Sequence, residues 1–250
     1  MFDLCDTTIS LQELKDFELD SFTRLVHSLR GFACNASFLV YGYQLFIATE
    51  YNLENNKLYM SNDDYAYNFY KYHAYRSDVI IRLRKSCEQK ANALSSGSIC
   101  KLLSDNNNIY KLKEYIEKYK SELPDSFYNY IKYIKFYCTK ISTPTKYISD
   151  DSEYLLKKIA LLRRFANKEM AHITFDDYNI DCADVHDVFM TVSAIAYAIQ
   201  SIMGDLACGI KLELAEKMGY DMACKNINAN DLDKYIPEIQ ENLPIWINLI

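Results

Sequence analysis

The residues best placed to do chemistry lie in one stretch, Leu161-Leu-Arg-Arg-Phe-Ala-Asn-Lys-Glu-Met-Ala-His172. His172 carries the side chain whose proton affinity suits acid–base work at neutral pH. Ahead of it Leu155, Ile159, Leu162, Ala166 and Met170 recur at helical spacing, and Lys157, Arg164 and Lys168 recur on another face. The helix is expected to stop just past Ala171, because Ile173, Thr174 and Phe175 are poor helix formers and Asp176-Asp177 follow. A histidine just past a helix end looks into a groove rather than into a core. A lone one ordinarily caps carbonyls or fills a surface notch, so its neighbours must decide. Taken singly, Arg164 and Lys168 read as solvated cations. The carboxylates Asp176, Asp177 and Asp181 are explained as acidic caps ahead of the next helix and need no metal. His172, Cys182 and His186 share no zinc-ligand spacing. Neither a metal nor a cofactor is expected.

The second half of the stretch, Asn167-Lys-Glu-Met-Ala-His172, resembles the motif of the HEPN family, helical proteins that include many ribonuclease toxins. The likeness is to the abortive-infection (AbiU-like) branch. The family pattern is an Arg, a polar residue, a short spacer and a His. Ala166 stands where the Arg belongs, and Arg163 and Arg164 lie too far from His172 to take its place. A separate segment, from Ser77-Asp-Val-Ile-Ile-Arg-Leu-Arg through Ser98-Ile-Cys-Lys-Leu-Leu, is similar to the same branch, with a long helix, a Ser-rich turn and a short Leu-Leu helix in the expected order.

The resemblance implies an all-α four-helix bundle with additional helices. It also implies a metal-independent endoribonuclease of a bacterial defence or toxin–antitoxin system. In that family's chemistry His172 would serve the 2′-hydroxyl as base or the leaving oxygen as acid, and the Arg would hold the scissile phosphate. Asn167 would hold a phosphate oxygen or orient His172, and Arg164 and Lys168 would line the RNA groove. The implied partners are an RNA substrate, tRNA among the candidates, a second copy of the chain, and an antitoxin or other defence protein. A HEPN subgroup modified by a nucleotidyltransferase has Tyr two residues after the His, where this chain has Thr174. Ala166 has two readings. It disarms an otherwise active nuclease, or it marks natural decay to a non-catalytic binding or adaptor protein on the same fold. The intact neighbours favour the first.

Composition sets the frame for this site. Six glycines and four prolines in 250 residues leave few breakers, so the chain should be mostly helix. Half of the residues are apolar, enough for a substantial core. A net charge of −6 argues against a nonspecific nucleic-acid coat but leaves room for a local basic groove. Eight scattered cysteines without a Cys-x-x-Cys pair read as reduced thiols. Asp3, Asp6 and Glu13 interrupt any leader, and no uncharged apolar run is long enough for a membrane span. A cytoplasmic protein with no membrane association is expected.

Helices are expected over about 21–49, 63–94, 99–103, 110–123, 127–141, 151–171 and 182–212. The four long ones suffice for a bundle. Ser10 with Glu13 reads as the capping box of a short first helix. Asn52–Asn62 reads as a turn, the charged stretch 110–123 as a solvated outer helix, and His27 and His73 as core or edge residues. One helical domain over 1–212, with extra helices inserted at about 98–142, would be followed by a C-terminal helical extension over 213–250. The apolar end Leu243-Pro-Ile-Trp-Ile-Asn-Leu-Ile should pack on the body or on a partner.

Overall fold

The computed structural model of the chain describes residues 20–90, 95–120, 123–171, 180–207 and 210–226, with the side chains at 168–171 and 223–226 left aside. The expected capping box at Ser10, the acidic pair Asp176-Asp177 and the apolar end from Leu243 lie outside these residues. All regular structure among the described residues is helical: α1 Ser21–Asn56, α2 Asn62–Ser86, α3 Ser96–Leu102, α4 Asn106–Tyr119, α5 Phe127–Ile141, α6 Tyr154–Ala171, α7 Cys182–Met203 and α8 Leu212–Asn226.

The axis of the fold is α1. Asp20 caps it by accepting the N–H groups of Phe22 and Thr23 at 2.9 and 3.1 Å. Leu25, Leu29, Phe32, Leu39 and Phe46 are fully buried, so the helix is wrapped on several sides. Helix α2 runs antiparallel to it, since Tyr72 reaches Glu50 at one end and Asn35 reaches Ser86 at the other. Helix α7 is also antiparallel to α1: Cys182 lies at Glu50, and Phe189 stacks on Tyr43 with ring centroids 3.8 Å apart. Helix α3 joins α1 through the buried Ser28–Ser98 hydroxyl pair at 3.0 Å.

The segment Cys182–Leu206 is long and apolar enough to cross a membrane by length and composition. Val188, Val192, Ile195, Ile199 and Ile202 are fully buried, so its apolarity serves the core of this bundle.

Helix α8 runs along α1 in the same direction. Ser37 donates to the Ile210 carbonyl just ahead of it, and Gly219 sits on Tyr41. A Cβ at Gly219 would lie 2.8 Å from the Tyr41 carbonyl oxygen and 3.1 Å from Gln44 Cβ. Gly219→Ala should therefore push α8 off α1 and cost about 1–3 kcal/mol, read as a lower urea midpoint. An unchanged midpoint would mean that α8 is not seated in this way.

The helices expected from sequence are present, and their ends differ for local reasons. Helix α1 continues through the stretch read as a turn because its amides bond within the helix: Asn55 donates to the Tyr51 carbonyl at 3.0 Å and Asn56 to the Asn52 side chain at 2.8 Å. Helix α4 begins at Asn106, ahead of the expected 110, because Asp105 caps it by accepting the Asn107 N–H at 2.9 Å. Asn108 is then buried, held between Ser21 and the Leu102 carbonyl. Helix α2 stops at Ser86, well short of 94. Helix α7 stops at Met203 because Gly204 adopts φ +56°, a conformation that suits glycine.

Candidate functional site

Helix α6 is described over Tyr154–Ala171. His172 itself and the side chain of Lys168 lie outside the described residues. Of the rest of the motif helix, Ile159, Leu162, Phe165 and Ala166 are buried, while Lys157, Arg164 and Asn167 are exposed. At about 100° per residue, Lys157, Arg164 and Asn167 share one side of the helix and Ala166 lies about 160° away from Arg164. The polar line Lys157, Arg164, Asn167 therefore runs along the solvent side of the helix. Ala166, where the sequence resemblance would put an Arg, is 0% exposed and belongs to the core.

Two arginines that the sequence does not single out hold this helix. Arg163 donates from Nη2 to the carbonyls of Cys87 and Ile141, at 2.5 and 2.9 Å, and from Nη1 to that of Thr143 at 2.5 Å. These carbonyls stand at the C-terminal ends of α2 and α5, where helix dipoles concentrate negative charge. Burial lowers the Arg163 pKa, yet a guanidinium stays protonated and can serve all three acceptors at once. Arg76 of α2 is 6% exposed and lies over the Phe165 ring at 5.1 Å and the Tyr72 ring at 5.6 Å. Its signal in the sequence is faint: an arginine at a helical position that repeats with Tyr72, Val79 and Leu83.

The other end of the connection is fixed at the start of α7. The Cys182 N–H donates to both Glu50 carboxylate oxygens, at 3.2 and 3.3 Å, and its carbonyl accepts from the Tyr43 hydroxyl at 3.4 Å. Tyr43 also meets His186 Nδ1 at 3.1 Å. Tyr72 donates to Glu50 at 3.3 Å. Asp181 caps the helix by accepting the Asp184 N–H at 2.9 Å, and Lys158 of α6 pairs with Asp184 at 2.7 Å. That ion pair joins the first turns of α6 and α7, about 20 Å of helix from Ala171. The two helices therefore meet near their starts. Tyr43 thus ties Cys182 and His186 together at the start of α7, with Glu50 holding the Cys182 N–H. His27 is exposed, and His73 is half-buried against Phe69 and Tyr72.

Burial pushes the Glu50 carboxyl up from its ordinary value, and the bonds from Cys182 offset part of that rise. The Tyr72 hydroxyl is pushed up to about 12, again by burial first and by Glu50 next. The Cys182 thiol is raised well above its usual range by burial and by Glu50, which leaves it a poor nucleophile. The folded chain holds the Glu50 proton more tightly than the unfolded chain does. Its contribution to stability is thus greatest when the carboxyl is protonated, and it is lost as pH rises from the ordinary 4.5 through the raised folded value. Glu50→Gln keeps the acceptor and removes the titration. It should flatten that part of a stability profile taken from about pH 4 to 8, and an unchanged slope would place the titration elsewhere.

No family model matches the chain, and neither a curated protein nor a solved structure shows significant similarity to it.

Proposed function

We propose that the chain is a HEPN-like, metal-independent endoribonuclease of a bacterial defence or toxin–antitoxin system, weakened by alanine at position 166. One observation supports this most. The helix that carries Ala166 and Asn167 presents Lys157, Arg164 and Asn167 to solvent along one side, a line of two cations and an amide that suits a phosphate backbone. In the proposed reaction the 2′-oxygen attacks the adjacent phosphorus and the bond from phosphorus to the 5′-oxygen breaks. One proton leaves the 2′-hydroxyl and one reaches the departing 5′-oxygen. His172 carries one of these transfers, Asn167 holds a phosphate oxygen or orients His172, and Arg164 and Lys168 bind the RNA backbone. The products are a 2′,3′-cyclic phosphate and a 5′-hydroxyl. A second copy of the chain would double the cations facing the phosphate, so a homodimer belongs to the proposal.

A second reading, a non-catalytic helical binding or adaptor protein, is favoured by one specific observation, the full burial of Ala166. A guanidinium there must start in the core. The two readings part on Ala166→Arg. Under the first, the chain as given cleaves RNA slowly and the variant gains about 10²–10³ in rate, the worth of one donor on developing charge. Overpacking at a buried site would also cost the variant about 1–3 kcal/mol of stability. A folded variant with no gain in cleavage in the presence of EDTA supports the adaptor.

A further inference from the structure

The sequence between Asp125 and Asp150 contains Lys132, Lys135, Lys140 and Lys146 and no carboxylate, in a chain of net charge −6. The rest of the protein therefore carries −6 − 4 = −10. The same stretch is rich in aromatic residues. Helix α5 buries Phe127, Ile131, Ile134, Cys138 and Ile141 on one side. On the other side Tyr128 and Phe136 are more than half exposed, as is Tyr147 in the turn that follows. Lys140 lies over the Phe136 ring at 5.8 Å and Lys146 over the Tyr147 ring at 4.9 Å. Lys140 pairs with Glu153, whereas Lys132, Lys135 and Lys146 make no ion pair among the described residues. The stripe is also fastened to the motif helix. Arg163 bonds the Ile141 and Thr143 carbonyls at the end of α5, and the next residue, Arg164, faces solvent.

We infer that this basic and aromatic face of α5, continued through Lys146 and Tyr147, is a binding track for single-stranded RNA that leads the strand to the exposed side of α6. The cations of Lys132, Lys135 and Lys146, which make no ion pair among the described residues, suit a phosphate backbone, and exposed rings offer stacking surfaces to unpaired bases. A duplex, with its bases already stacked, gains nothing from the rings. The track rests on the ribonuclease reading for its purpose, and its test separates the two.

The test is fluorescence anisotropy with the full chain and a short labelled 2′-O-methyl oligouridine, which cannot be cut by its own 2′-oxygen. Lys132→Gln combined with Lys135→Gln should weaken binding about tenfold or more. It should also reduce the slope of log K against log salt by about 1.4, the loss of two phosphate contacts on a single strand. Phe136→Ala should weaken binding about fivefold or more with the slope kept. Lys111→Gln combined with Lys118→Gln, on the outer helix α4, should change neither. The track is overturned if the α5 variants bind like the unsubstituted chain, if duplex RNA binds as tightly as the single strand, or if polyglutamate displaces the RNA as well as unlabelled RNA does. His172-dependent cutting of an unmodified RNA is scored separately. Cutting that persists while the α5 variants bind normally defeats the track alone. Binding through α5 without any cutting defeats the ribonuclease reading alone.

Discussion

Replacing Arg163 by methionine is expected to cost about 3 kcal/mol or more, with a fall in Tm of roughly 6–12 °C for a chain of this size. The reason is the number of acceptors that one side chain serves. Three carbonyls at the ends of α2 and α5 lose their donor, those of the buried Cys87 and Ile141 among them, and each buried acceptor left without a partner costs about 1–3 kcal/mol. Arg163→Lys should recover only part of the loss, because an ammonium cannot reproduce the forked geometry that spans two helix ends. The arginine also sets where α6 lies, so the methionine variant should lose function along with stability. A midpoint within about 0.5 kcal/mol of the unsubstituted chain would show that Arg163 is a surface residue with incidental contacts.

The sequence was most informative where local pattern and local chemistry agree. Helix α5 occupies Phe127–Ile141 as expected, because its apolar residues keep helical spacing and Pro124-Asp125 and Pro144 stand outside its ends. What escaped were residues whose role depends on partners distant in sequence. Arg163 bonds carbonyls 20, 22 and 76 positions away, and Glu50 caps a helix 132 positions further on. Asn52, Asn55, Asn56 and Asn108 look like loop residues, and only their bonding in the folded chain makes them helical.

Ala166 shows a sharper conflict. Helical periodicity groups it with Ile159 and Leu162 on the apolar face, while the family resemblance assigns it to the site. Its complete burial agrees with the periodicity. The proposed site is therefore better described by the exposed line of Lys157, Arg164 and Asn167 than by the motif positions alone. Position 166 bears on it as a core position from which a long side chain would have to reach outward.

In the proposed ribonuclease, His172 is the residue on which the chemistry turns. A positioned acid or base contributes about 10²–10⁴ in rate, so its removal should erase whatever cleavage the site supports. The most direct measurement uses Ala166→Arg, with and without His172→Ala, on RNA in the presence of EDTA at enzyme excess, with the product ends identified. The predicted result is cleavage by the single variant that leaves 2′,3′-cyclic phosphate ends and disappears in the double variant. Cleavage that survives the loss of His172, or a folded single variant that leaves every RNA intact, would contradict the ribonuclease account.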